Sequence, residues 1–256
     1  MNVIAKLSKF YCDFHGVKGI IGYSVKNKPI YYFNVKKSNS PKIIVTYCIH
    51  AREYITTHLA LKQIEDFAKY GRTGNVAFIP MVNPDGVEIC LSKNRLFKAN
   101  ANGVDLNVNF DAMWGKGEQN EFAPNFQNYV GKMPFSEPET RALRDFTCSF
   151  LPDLTISYHS KGEEIYWEFF QEDRRLIRDY KFAKILSNST TYPLKKAENS
   201  CGGYKDWCIL TLKIPSFTIE VGSDKLSHPI TTKHLSQIYA KNKRVLFDLT
   251  ENYLCN

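Results

Sequence analysis

His50 and Glu53 lie three residues apart in the run Ile49-His50-Ala51-Arg52-Glu53, directly after the apolar stretch 42–49. On the first turn after a strand, an imidazole and a carboxylate at that spacing can face one side and share a metal ion. His159 ends a second strand-like run, 154–159, and is the natural third ligand. Two histidines and one glutamate leave the fourth corner of a tetrahedral zinc site open for water, which is how a catalytic zinc differs from a structural one. Glu220 ends a third apolar run, Ser216-Phe217-Thr218-Ile219-Glu220. Open α/β sheets place their ligand sites at such strand ends.

Those strands need a sheet to hold them. The segment 19–35 contains two β-rich runs broken at 26–29, and 42–49 reads as a buried strand ending at His50. Apolar residues at helical spacing over 51–70 predict a helix stopped by Gly71, and 75–82 predicts a strand closed by a turn at Asn83-Pro84-Asp85-Gly86. Strand, helix, strand in that order implies a parallel crossover and an α/β fold. The segment 101–133, rich in Asn, Gly and aromatics, reads as long loops, and loops of that length usually carry function. Ser136 and Glu139 have capping-box spacing ahead of a helix. Further helices are expected at 174–187 and 232–253, with a turn at Gly202-Gly203 between them. No internal repeat or linker divides the 256 residues, so one domain over 1–256 is expected.

Composition narrows the class. The hydrophobic and charged fractions, 43% and 23%, are those of an ordinary soluble domain, and no apolar run is long enough to span a membrane. The first residues lack the apolar core of a signal peptide, so a cytoplasmic location is expected. Seven scattered cysteines suggest free thiols in a reducing compartment. The net charge of +8 is spread along the chain without a nucleic-acid-binding motif, which favours an anionic small substrate over nucleic acid.

Five segments, in order, carry a resemblance to the zinc metallocarboxypeptidases: IHARE at 49–53, NPDG at 83–86, GVDLNVNF at 103–110, SYHS at 157–160 and FTIEVG at 217–222. The resemblance implies a single three-layer α/β/α domain with a mixed, mainly parallel sheet. It also implies one zinc ion held by His50, Glu53 and His159, with Glu220 as the general base that takes a proton from the attacking water. Arg95 and Lys98 fall where the family has two active-site arginines. Lys98, at the position of the second, can still steady a developing oxyanion as a point charge, without the planar fork of arginine. Arg52 matches a substrate-subsite arginine, a plain surface charge being the alternative reading.

The chain departs from the carboxypeptidase pattern at the Asn-Arg pair that clamps a substrate's terminal carboxylate, which here is Asn107-Val108. Valine cannot make a charge-assisted, bidentate bond, so ordinary C-terminal trimming loses its anchor. The resemblance also places a mobile tyrosine two residues beyond the tryptophan of Asp206-Trp207, where this chain has Ile209; Tyr204 is the candidate to replace it. DLNVNFDAMWGKG, PFSEPETRAL and SYHSKGEEIYW look like the bacterial γ-D-glutamyl-meso-diaminopimelate peptidases, which cut cell-wall stem peptides. Arg52, Lys98, Lys161 and Lys205 lie beside the site motifs and suit an anionic muropeptide. A metal-dependent deacylase acting on small acylated amino acids and a peptide-binding protein with weak turnover are the rival readings.

Overall fold

The computed structural model describes residues 1–197 and 199–253. Its centre is one eight-stranded sheet. The strands are β1 (Val17–Tyr23), β2 (Pro29–Lys36), β3 (Lys42–Tyr47), β4 (Asn75–Ile79), β5 (Leu154–His159), β6 (Glu164–Glu168), β7 (Leu194–Lys196) and β8 (Ser216–Glu220). They lie in the order β1-β2-β4-β3-β5-β8-β6-β7. The middle of the sheet, β4-β3-β5-β8, is parallel; β1-β2, β2-β4 and β6-β8 are antiparallel. Helices cover both faces, so the expected α/β/α layering with a mixed sheet is what the chain forms.

The helices are α1 (Val3–Asp13), α2 (Ile55–Tyr70), α3 (Pro84–Ser92), α4 (Pro138–Phe150), α5 (Asp173–Thr190), α6 (Tyr204–Trp207), α7 (Leu235–Asn242) and α8 (Val245–Asn252). In β3, Ile43, Val45 and Tyr47 face one layer while Ile44 faces the other. This is the period-two alternation of a strand buried on both sides. The first layer packs Ile55, Leu59, Ile64 and Phe67 of α2 against Phe182 and Leu186 of α5 and Val245 and Leu249 of α8. Each such buried side chain contributes roughly 1.5–3 kcal/mol. The second layer is built from Ala142 and Leu143 of α4 together with Leu106, Phe110, Tyr204, Trp207 and Ile209. That layer carries the polar loops of the site.

Several sequence expectations are redrawn. β3 stops at Tyr47, not at His50, because Cys48 turns into the left-handed region (φ 52°). The helix expected from Ala51 is a 3-10 turn, Ala51–Glu53, followed by α2, which Gly71 does terminate. Asn83-Pro84-Asp85-Gly86 is the start of α3 and not a turn: the Asn83 side chain accepts from Gly86 N, and Pro84 occupies the first turn, where a missing N–H costs nothing. No capping box forms at Ser136. The cap of α4 is Glu137, Ser136 Oγ donates to Glu137 Oε1, and Glu139 turns into the protein. The expected C-terminal helix is a 3-10 turn followed by α7 and α8. The helix α1 and the strands β6 and β7 had no counterpart in the sequence reading. Among the described residues six cysteines are free thiols, Cys255 lies outside them, and no helix is long and apolar enough to cross a membrane.

Candidate active site

Three loops meet at the ends of the parallel strands and are sewn together by main-chain and side-chain hydrogen bonds. Val82 N donates to Tyr47 O (3.1 Å), Asn83 N to Cys48 O (3.2 Å) and Ala51 N to Lys98 O (3.0 Å). The buried Asn83 also donates through Nδ2 to Ile49 O (3.2 Å) and Ala99 O (3.0 Å). Thr56 Oγ1 accepts from Cys48 N at 2.9 Å, closing the turn from below. His50 and Glu53 therefore sit on a backbone with few ways to move.

His159 is the last residue of β5 and pairs in register with Glu220, the last of β8. His50, Glu53 and His159 are all buried, and a donor atom from each lies within 4.8 Å of the others. Glu53 Oε1 is 2.9 Å from His50 Nδ1, Glu53 Oε2 is 3.2 Å from His159 Nδ1, and the two Nδ1 atoms are 3.1 Å apart. A tetrahedron with ligand distances of about 2.0–2.1 Å has edges of about 3.3 Å, so the three donors already stand close to corners of one zinc site. They can hold a single metal ion.

The electrostatics of Glu53 and His159 fit that use. Burial would raise the Glu53 carboxyl, but the charge of His50 and hydrogen bonds from both histidines outweigh it and hold Glu53 well below the usual carboxylate range. Burial pulls His159 down, keeping it in the neutral form that a metal requires. His50 is pulled down by burial and by Lys98, yet Glu53 and Asp105 win and leave it raised.

Asp105 is the residue of this centre to which the sequence reading gave no role. Its Oδ1 is 3.2 Å from His50 Nε2 and its Oδ2 is 2.8 Å from Lys98 Nζ, with the carboxylate fully buried. Burial opposes its charge, but Lys98 and His50 hold it well below the ordinary range. The signal was the first residue of Asp105-Leu106-Asn107, a small acid preceding a loop that turns inward.

A cavity of about 710 Å³ opens over these residues, lined by His50, Lys98, His159 and Glu220, with Asn107 and Lys205 on its wall. Burial, and next the negative Glu53, push the Glu220 carboxyl well above its usual range. Asn107 Oδ1 accepts from Tyr204 N at 3.1 Å, tying the 105–109 loop to α6. Val108 is half-buried beside Gly202: a Cβ at Gly202 would come 2.9 Å from Val108 O, and Gly202 has φ +83°. Arg52 and Arg95 lie outside the large cavity. Arg52 Nη1 donates to Leu96 O and Gln127 Oε1, both at 3.4 Å, while Arg95 is exposed on a pocket of about 230 Å³ with His228 and His234.

Two sequence candidates are corrected. Tyr204 is fully buried against Phe110 and Trp207, with its hydroxyl 2.9 Å from Thr147 Oγ1, so it fills the second core layer and cannot reach substrate as a mobile tyrosine would. Ile209 is 1% exposed in the same layer and does not face the cavity.

With this geometry in view, the likeness to known proteins is specific. The zinc carboxypeptidase profile matches residues 12–244. A γ-D-glutamyl-L-diamino acid endopeptidase of Lysinibacillus sphaericus is 30% identical over 276 aligned residues, covering 93% of this chain and 68% of that protein. Human mast cell carboxypeptidase A is 31% identical over 192 residues, or 66% of this chain and 46% of that protein. The fold superposes on bovine thrombin-activatable fibrinolysis inhibitor in complex with a tick carboxypeptidase inhibitor, with a TM-score of 0.87 at 22% identity, covering 100% of this chain and 98% of that one. It also superposes on the murein-tripeptide amidase MpaA of Escherichia coli O157, with a TM-score of 0.66 at 23% identity and 92% coverage of both chains. The chain belongs to the zinc carboxypeptidase family of metallopeptidases.

Proposed function

We propose that this chain hydrolyses the γ-D-glutamyl bond to a diamino acid in bacterial cell-wall stem peptides, with Glu220 as general base and Lys98 as the oxyanion's partner. The observation that carries the reading is the shared cavity. His50 and His159 open onto the same space as Glu220 and Lys98, so ion, base and cation can all reach one amide. A bound zinc ion supplies the Lewis acidity that activates water and polarises the carbonyl.

Glu220 opens onto the same cavity as His50 and His159, which supports its taking the proton of the attacking water and returning it to the leaving amine. Lys98 spends one of its three N–H bonds on Asp105 and has others free to face the oxyanion. The choice of substrate is supported by the Lysinibacillus relative and by Val108, which cannot clamp a terminal carboxylate. Lys205 is 6% exposed with its Nζ 2.6 Å from Asp206 Oδ1, and with Lys195 and Lys196 it gives the wall a positive side suited to an anionic peptide.

The test incubates zinc-loaded protein and a Glu220→Ala variant with a stem peptide containing the γ-D-Glu to diaminopimelate bond and with ordinary C-terminal peptides, reading products by mass. Cleavage of the first alone, slowed about 10²–10⁴-fold in the variant, is expected. Release of ordinary C-terminal residues would overturn the substrate assignment, and an active variant would overturn the role of Glu220.

A further inference from the structure

β6 runs antiparallel to β8 and pairs Glu164 with Glu220 and Tyr166 with Thr218. Alternate residues of a strand share a face, and all four of these side chains line the large cavity. Tyr166 Oη donates to Glu164 Oε1 at 2.5 Å. Burial, and then Glu164 itself, push the Tyr166 phenol far up, so it remains a donor. A Cβ at Gly162 would lie 3.1 Å from both Glu164 Cγ and Oε1, so glycine at that position leaves the carboxylate its place. Glu164 is thus held by a hydroxyl on one oxygen and by a close backbone beneath.

Its charge has no counterpart. Of the lysines on this wall, Lys98 is matched with Asp105, Lys196 with Glu168 and Lys205 with Asp206, while Lys195 is exposed and no ion pair joins it to Glu164 among the described residues. Among the described residues Glu164 takes part in no ion pair, and it stands cross-strand from Glu220, where two acids repel. A second carboxylate beside the proposed base costs free energy unless a ligand brings a cation to it.

We propose that Glu164, oriented by Tyr166, binds a primary ammonium group of the substrate in this cavity and so determines specificity for a residue carrying an amine beside the scissile bond. The inference rests on the amide-hydrolysis reading above, and the diamino acid supplies such an amine. It also accounts for a wall with both signs of charge, lysines for the substrate's carboxylates and Glu164 for its ammonium.

The test uses two γ-D-glutamyl peptides identical except that lysine in one is replaced by norleucine in the other, which keeps the four-carbon side chain and replaces its terminal ammonium with a hydrogen. A charge-assisted hydrogen bond corresponds to on the order of tenfold to a hundredfold in kcat/KM in favour of the lysine peptide. In Glu164→Gln that ratio should fall toward one through the KM of the lysine peptide, and Tyr166→Phe should lower it partway. A ratio unchanged in Glu164→Gln, or kcat falling alike for both peptides, overturns the proposal. Calorimetric binding of both peptides to zinc-loaded Glu220→Ala reads the preference without turnover. Amine-selective binding that disappears in Glu164→Gln/Glu220→Ala sustains the subsite even if neither peptide is cut, in which case the hydrolytic reading fails alone. Equal binding of the two peptides overturns the subsite.

Discussion

The cavity has two sides that are built differently. On one, His50, Glu53, Lys98 and Asp105 sit on loops locked by Asn83, Thr56 and main-chain bonds, and every charge there has its partner within the protein. On the other, Glu164 and Tyr166 of β6 and Lys195 and Lys196 of β7 come from the far edge of the sheet, half-buried or exposed, with Glu164 unmatched. The lesson is a division of labour. The groups proposed to hold an ion at one geometry are over-determined by the fold, whereas Glu164, proposed to recognise a substrate, is left with charge to share.

The largest expected effect of that division is on metal removal. Chelation should abolish hydrolysis, and added zinc should restore it, because the locked side holds its donors in place for reloading. At free zinc about a thousandfold above Kd, the ion adds about 4 kcal/mol to stability, on the order of 10 °C in Tm for a chain of this size. Calorimetric unfolding with and without chelator measures it. Hydrolysis that persists in chelator, with no change in Tm, would break the comparison at its root.

The locked side also rests on a buried acid. Asn100 Nδ2 donates to Glu137 Oε2 (2.8 Å) and to Glu139 Oε2 (3.1 Å), and Val25 N donates to Glu139 Oε1 (3.1 Å), bracing the loop that carries Lys98, Asp105 and Asn107. Burial pushes Glu139 up to about 7 from the usual 4.5. The folded state then holds a proton that the unfolded chain releases, so this group's contribution is full below about pH 4.5 and is lost as pH rises toward 7. The loss amounts to about 3 kcal/mol. Denaturant midpoints of wild type and Glu139→Gln across pH 4–8 should diverge with that slope, and parallel curves would show that Glu139 is charged in the fold throughout.

How much of this was legible in sequence follows the same division. His159 and the proposed base Glu220 end buried strands, and His50 and Glu53 follow one on the turn after β3, where an apolar run followed by His or Glu is a local signal, and the parallel core followed from strand-helix-strand order. Asn83 was legible as turn chemistry and misassigned, since the same residues that close a turn also cap a helix. Tyr204 and Ile209 failed because the face an aromatic or aliphatic side chain takes on a four-residue helix and the turn after it depends on packing in the second core layer, which includes Phe110, far away in sequence from the motif that suggested them. Glu164 was invisible for a related reason: only the antiparallel return of β6 beside β8 puts it next to Glu220.

Asp105 gives the smallest effect and the sharpest one. Its Oδ1 lies 3.2 Å from His50 Nε2, an ion-pair contact, whereas among the described residues the carboxylate paired with His159 is Glu53, on Nδ1. His50 is therefore flanked by carboxylates on both ring nitrogens, Glu53 and Asp105, and His159 by Glu53 on Nδ1. Replacing Asp105 with asparagine keeps the shape but removes the charge that fixes the tautomer of His50 and anchors Lys98. Loss of such an outer partner costs about 10–100-fold in metal affinity. Asp105→Asn should weaken zinc binding by that factor in a competition titration and should also lower kcat, because Lys98 is freed from its anchor. The lysine-to-norleucine preference belongs to Glu164 across the cavity and should survive. A variant that kept full zinc affinity but lost the amine preference would show that the two sides are not separate, and that the locked loops shape recognition as well.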